Sequence, residues 1–70
     1  GAEVALWAAV RNQPGEVAAW NNLAHVLAAT GKGTEAVAAA RWAVSLGGPH
    51  SEAAKATLAG LETANNSSPR

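Results

Sequence analysis

The chain contains no cysteine, no aspartate, and no isoleucine, phenylalanine, tyrosine or methionine. Without cysteine there is neither a disulfide framework nor a thiolate metal site, an absence that fits any compartment. Without aspartate, the acidic side rests on glutamates dispersed at helix starts and exposed faces, which does not assemble a carboxylate with a serine and a histidine for nucleophilic chemistry. A concentrated basic face is missing as well: Arg11, Lys32, Arg41, Lys55 and Arg70 are scattered and the formal net charge is zero. That argues against nucleic acid, which needs clustered positive charge, and against an anionic membrane surface. The most apolar stretch, Ala36 to Leu46, is interrupted by Arg41 and is too short to span a bilayer. Nothing at the start reads as a signal peptide.

What is present is alanine, valine and leucine, bringing the apolar fraction to 49%. Trp7, Trp20 and Trp42 must therefore supply much of any buried aromatic area. Seventy residues allow one domain with a modest core, close to the stability threshold for an unstapled chain.

Punctuation divides the chain into four predicted helices and no strand. The first spans about Ala2 to Asn12, on alanine propensity and on Ala2, Leu6, Ala9 and Val10 recurring at helical spacing. Pro14 disfavours helix at Gln13, and Gly15 supplies a turn. The second starts near Glu16 and runs to about Ala29, where Thr30-Gly31-Lys32-Gly33 stops it. The third is expected to begin with Thr34 as N-cap and Glu35 in its first turn, ending near Leu46 before Gly47-Gly48-Pro49. The fourth is expected to take Ser51 as N-cap and to end at Glu62 or Thr63, with Gly60 weakening its last turn. Residues 64–70 are polar and aperiodic and read as a disordered tail. Short connections favour antiparallel neighbours, so the expected class is all-α.

The most informative stretch is Ala19 to Leu27. Trp20, Leu23, Ala24 and Leu27 share one helical face and form a packing stripe, while Asn21, Asn22 and His25 lie on another side. Self-comparison shows a repeat. A shift of about thirty-four residues aligns Ala2 with Ala36, Ala9 with Ala43 and Val10 with Val44. Pairing Pro14 with Pro49, Leu23 with Leu58 and Ala24 with Ala59 takes about thirty-five, which implies one extra residue in the Gly47-Gly48 turn.

With the aromatic, leucine, small and large residues at Trp20, Leu23, Ala24 and Leu27, the small positions Ala36, Ala40 and Ala43, and the closing prolines Pro14 and Pro49, the chain resembles the tetratricopeptide repeat family over residues 2–62. The resemblance implies an antiparallel helix-turn-helix array: the second and third helices form one complete repeat, flanked by half-repeats. Gly33 and Leu27 depart from that pattern, and Lys55 stands where Trp20 has its counterpart, which implies a terminal, solvated fourth helix. The family's members are mostly scaffolds that bind proteins or peptides in a groove made by the first helices of successive repeats. By that resemblance Asn22 is a partner contact, its amide donating and accepting at once. His25 is a second groove residue, Ala18 and Ala29 continue the face, and Asn21 sits further round. The fourth-helix counterparts are Thr57 and Gly60.

Other chemistry finds little support. His25 and His50 have no ligand spacing around them, so no metal or cofactor is expected. Ser45, Ser51, Thr30 and Thr34 have turn or cap roles. Gly31-Lys32-Gly33-Thr34 lacks the strand and first glycine of a phosphate loop and reads as a turn. Trp42 lies off the Ala36-Ala40-Ala43 stripe and is read first as a cover over the fourth helix. Trp7 also lies off its helix's line, and either tryptophan, if exposed, marks an interface. The expected function is thus a non-catalytic module binding a protein or peptide through the groove or a tryptophan flank. Two alternatives stand beside it: self-association through open repeat ends into a homo-oligomer, and a docking segment of a larger enzyme.

Overall fold

The computed structural model describes residues 1–49 and 51–66, with the side chains of residues 64–66 left aside. Four helices follow one another: α1 (Ala2–Asn12), α2 (Val17–Ala29), α3 (Gly33–Leu46) and α4 (Ser51–Asn66). The described residues are thus all-α, with helix-turn-helix packing between consecutive elements.

The turns explain the boundaries. Gln13 caps α1 with non-helical dihedrals (φ −133°, ψ 76°), as a residue before proline must. At the end of α2, the Thr30 hydroxyl donates to the carbonyls of Val26 and Leu27 at 3.0 and 3.1 Å. Gly31 takes φ +83°, and the Gly31 and Lys32 amides donate back to the Ala28 and Leu27 carbonyls at 3.2 and 2.8 Å. This is a Schellman closure, which places glycine at the left-handed position. It also corrects the expected start of α3. Because the reversal is complete at Lys32, that residue is the N-cap, its carbonyl accepting from the Ala36 amide at 2.9 Å, and Thr34 already lies inside the helix.

Ser51 likewise is not an N-cap. Its hydroxyl donates to the Gly48 carbonyl at 2.8 Å instead of accepting from a helix amide, and it is the first residue of α4. That helix passes through Gly60 and continues to Asn66, beyond the expected end at Glu62 or Thr63. No proline or further glycine lies between Gly60 and Asn66 to stop it. The remainder of the expected tail, 67–70, and His50 lie outside the described residues.

Helix α2 packs against α1, α3 and α4, and α3 packs against α4. The core follows from that centrality. Leu23, Ala24 and Leu27 of α2 and Ala36 and Ala40 of α3 are fully buried together with Val10 of α1. A second cluster joins Val17, Ala43 and Ala54, and Trp20 packs against both clusters. Leu23 and Leu27 are the largest side chains with no exposure, each contributing roughly 1.5–3 kcal/mol by burial. The rest of the buried set is mostly alanine, whose small side chains let α2 and α3 approach closely.

The structure revises the repeat register. α2 begins at Val17 and α4 at Ser51, thirty-four residues apart, and no extra residue intervenes. In this register buried Val17 matches buried Ser51, while Ala24 and Leu27 match the packed Leu58 and Leu61. The alternative pairing sets fully buried Ala24 against exposed Ala59. The counterparts of Trp20, Asn22 and His25 are therefore Ala54, Ala56 and Ala59, not Lys55, Thr57 and Gly60. Ala36 in α3 is buried, whereas Ala2 in α1 is exposed.

Candidate functional site

Two surfaces carry the candidate residues. On α2, Ala18, Asn22, His25 and Ala29 are exposed and lie on one stripe. The stripe borders α4, where Thr57 Oγ1 sits 3.3 Å from His25 Nε2. The Thr57 hydroxyl donates its one hydrogen to the Ala53 carbonyl at 3.0 Å, so its bond with the imidazole is one in which Nε2–H donates. His25 is thereby oriented by a neighbouring helix, and Asn22 projects an amide with no intramolecular bond among the described residues. Asn21 departs from the expected polar stripe. It is half-buried, and its Oδ1 is buried with no hydrogen-bond partner among the described residues, because its position on α2 turns it between helices instead of out to solvent.

The second surface lies between α1 and α3, whose backbones do not approach each other. A depression of about 290 Å³ fills the gap, lined by Trp7, Trp20, Glu35, Ala38, Ala39 and Trp42. Trp20 comes from α2, and the α3 contribution has the spacing of one helical face. Ala38 and Ala39 stop at Cβ and so leave the space that the tryptophans border. Trp42 is 50% exposed. It does not cover α4: its ring packs on Trp20 with centroids 5.7 Å apart and planes tilted by 54°, a favourable aromatic geometry.

Hydrogen bonds hold two of the three indoles. Trp20 Nε1 donates to the Pro14 carbonyl at 2.8 Å, which ties the α2 aromatic to the α1–α2 turn. Trp7 Nε1 donates to Glu3 Oε2 at 3.3 Å. Glu3 in turn receives Lys32 Nζ at 2.8 and 3.1 Å, linking the start of α1 to the α2–α3 connection. The Lys32 ammonium holds the Glu3 carboxyl below its usual pKa, and Glu3 raises that of Lys32, with Glu35 adding to the effect. Glu35 itself has no hydrogen bond or ion pair among the described residues.

Comparison with family models, curated proteins and solved structures gave no match. The chemistry of the two surfaces is therefore read from their residues. No group of three or more histidine, cysteine or acidic side chains that could hold a metal occurs among the described residues. No described helix is long and apolar enough to cross a membrane.

The structure places Leu23, Ala24, Leu27, Ala36, Ala40 and Ala43 at zero exposure, while Trp20 is half-buried at the edge of both clusters. Ala18, Asn22, His25 and Ala29 share a face, whereas Trp42 is on a different one. Sequence reasoning did not bring Trp7, Trp20, Glu35, Ala38, Ala39 and Trp42 together. The signal was partly there, since Glu35, Ala38, Ala39 and Trp42 follow the i, i+3, i+4, i+7 pattern of one helix face. That this face looks across a gap at Trp7 depends on how α1 and α3 sit on α2.

Proposed function

We propose that this chain is a non-catalytic protein–protein interaction module, a tetratricopeptide-like array that holds a protein or peptide partner on its tryptophan flank. The observation that carries this reading is Trp42, half exposed beside an apolar depression that two further tryptophans border. A large apolar side chain exposed on so small a domain is a mark of an interface, and tryptophan is enriched among residues that dominate binding energy. The thirty-four-residue spacing between α2 and α4 supports the repeat framing. The α2 stripe offers less: its histidine is engaged by Thr57, and the matching positions on α4 are Ala56 and Ala59, so one helix alone carries the polar groups.

Capture experiments with the intact domain and its Asn22→Ala, His25→Ala and Trp42→Ala variants test the proposal. Trp42→Ala is expected to lose the captured partner while the helical circular dichroism signal is kept. Loss on Asn22→Ala with Trp42→Ala unaffected would move the binding face to the α2 stripe.

A further inference from the structure

We infer that α1 undocks as a unit while α2, α3 and α4 stay folded, and that the Glu3–Lys32 ion pair is the latch limiting this opening. Trp7 leaves with α1, so each opening removes one wall of the tryptophan depression. The inference concerns the chain alone and does not depend on what the flank binds.

Packing sets α1 apart from the other helices. Among the described residues α2, α3 and α4 pack on one another, whereas the backbone of α1 approaches α2 alone. On its α3 side lies the depression, a gap where no helix-to-helix packing has to be broken. Val10, in the last turn, is the one buried residue of α1, and Leu6 and Trp7 are half-buried against the core. Ala2, Val4 and Ala5 are exposed. An element with so few buried apolar contacts opens below the free energy of global unfolding.

The two ends of α1 are held differently. Its C-terminal end runs into a pinned turn, where the Glu16 amide donates to the Gln13 carbonyl at 3.0 Å and Trp20 Nε1 to the Pro14 carbonyl at 2.8 Å. Its N-terminal end is held through Glu3, which receives Lys32 Nζ at 2.8 and 3.1 Å and Trp7 Nε1 at 3.3 Å. The anchor on the other side is firm. The Lys32 amide donates to the Leu27 carbonyl, and the Lys32 carbonyl accepts from the Ala36 amide. Among the described residues this is the one ion pair joining α1 to the rest of the chain. Both side chains keep solvent contact, so the latch changes the open population only a few-fold. Once undocked, a helix of 11 residues is too short to persist in water, so its amide hydrogen bonds open with it.

The test is native-state hydrogen exchange of the 70-residue chain followed by NMR, in the regime where exchange reports the open population. The α1 amides from Leu6 to Val10 are expected to share one protection factor, about tenfold or more below those of Leu23, Leu27 and Ala40. Glu3→Lys and Lys32→Glu should each lower α1 protection several-fold and leave α2 and α3 unchanged. The doubly reversed variant should recover at least half of that loss. Salt at about 1 M should lower α1 protection in the unsubstituted chain but not in Glu3→Gln. Equal protection of the α1 and α3 amides overturns the separate opening. Protection that declines stepwise from Val10 toward Leu6 also overturns it, because that pattern is fraying from the end. If α1 opens as a unit and the double reversal restores nothing, the latch falls. If the single reversals lower protection alike in every helix, the pair supports the whole fold and the latch falls as well.

Discussion

At the scale of single residues, burial separates what holds the chain together from what it presents. Trp20 packs on both hydrophobic clusters and anchors its indole N–H to the Pro14 carbonyl. Trp20→Ala removes the packing and leaves that carbonyl without its donor, so chemical denaturation is expected to show a loss of about 3–5 kcal/mol. For so small a domain that is enough to unfold it. Trp42 contributes mainly its contact with Trp20, and Trp42→Ala should cost about 1 kcal/mol by the same measurement. The contrast between these two variants is what makes Trp42 usable as a binding probe. Asn22→Ala, at an exposed helical position without a hydrogen bond to the described residues, should change stability by no more than about 0.5 kcal/mol. Melting of the fold by Asn22→Ala would show that the amide is structural.

At the scale of helices and turns, the connections carry backbone constraints that the helices do not. Gly47 adopts φ +75° and ψ −163°, a region open essentially to glycine, and Gly48 follows with φ +86°. Gly47→Ala should therefore destabilise by roughly 1–3 kcal/mol even though open space surrounds the position. Gly60 is exposed, helical and equally uncrowded, so Gly60→Ala should stabilise by about 0.5–1 kcal/mol. Thermal melts of the two variants are expected to move in opposite directions.

The link from α1 to the α2–α3 connection is electrostatic, and its pH dependence follows from its two partners. The pKa of Glu3 is lowered in the folded chain, so its contribution is present above the ordinary carboxylate value of 4.5 and disappears as pH falls below it. The pKa of Lys32 is raised, so its contribution is lost as pH rises above 10.5. Between those limits the tether holds. Hydrogen-exchange protection of the α1 amides is expected to fall selectively as pH drops below 4.5, and Glu3→Gln should remove that dependence. Added salt should act in the same direction, since both side chains are solvent-accessible.

For the whole molecule, the Cα extents of 38 × 27 × 12 Å describe a thin slab. A slab this thin leaves every helix a face toward solvent, which is why, among the described residues, Leu23 and Leu27 are the largest side chains that are fully buried. Among the described residues no helix covers α1 on the side of Val4, which is 71% exposed. In a stacked array that side would be covered by another repeat. Sedimentation velocity over a hundredfold range of concentration tests whether a second copy covers it. A single species near 7.0 kDa is expected if the tryptophan flank serves a foreign partner. A concentration-dependent dimer would favour self-association instead.

Much of the architecture was legible before any coordinates. Glycine and proline punctuation placed α1 at its observed bounds and located three of the turns, because those residues restrict the backbone locally whatever surrounds them. Helical periodicity on α2 separated Leu23, Ala24 and Leu27 from Asn22 and His25, because side-chain direction along a helix is a property of the helix alone. Three matters needed the tertiary structure. The register of α4 depended on which of two near-equal alignments buried the larger side chains. The half-burial of Asn21 depended on how the neighbouring helices sit on α2. The meeting of Trp7, Trp20, Glu35 and Trp42 depended on α1 and α3 flanking α2 with a gap between them. A linear sequence records which residues share a helix face; only packing records which faces look at each other.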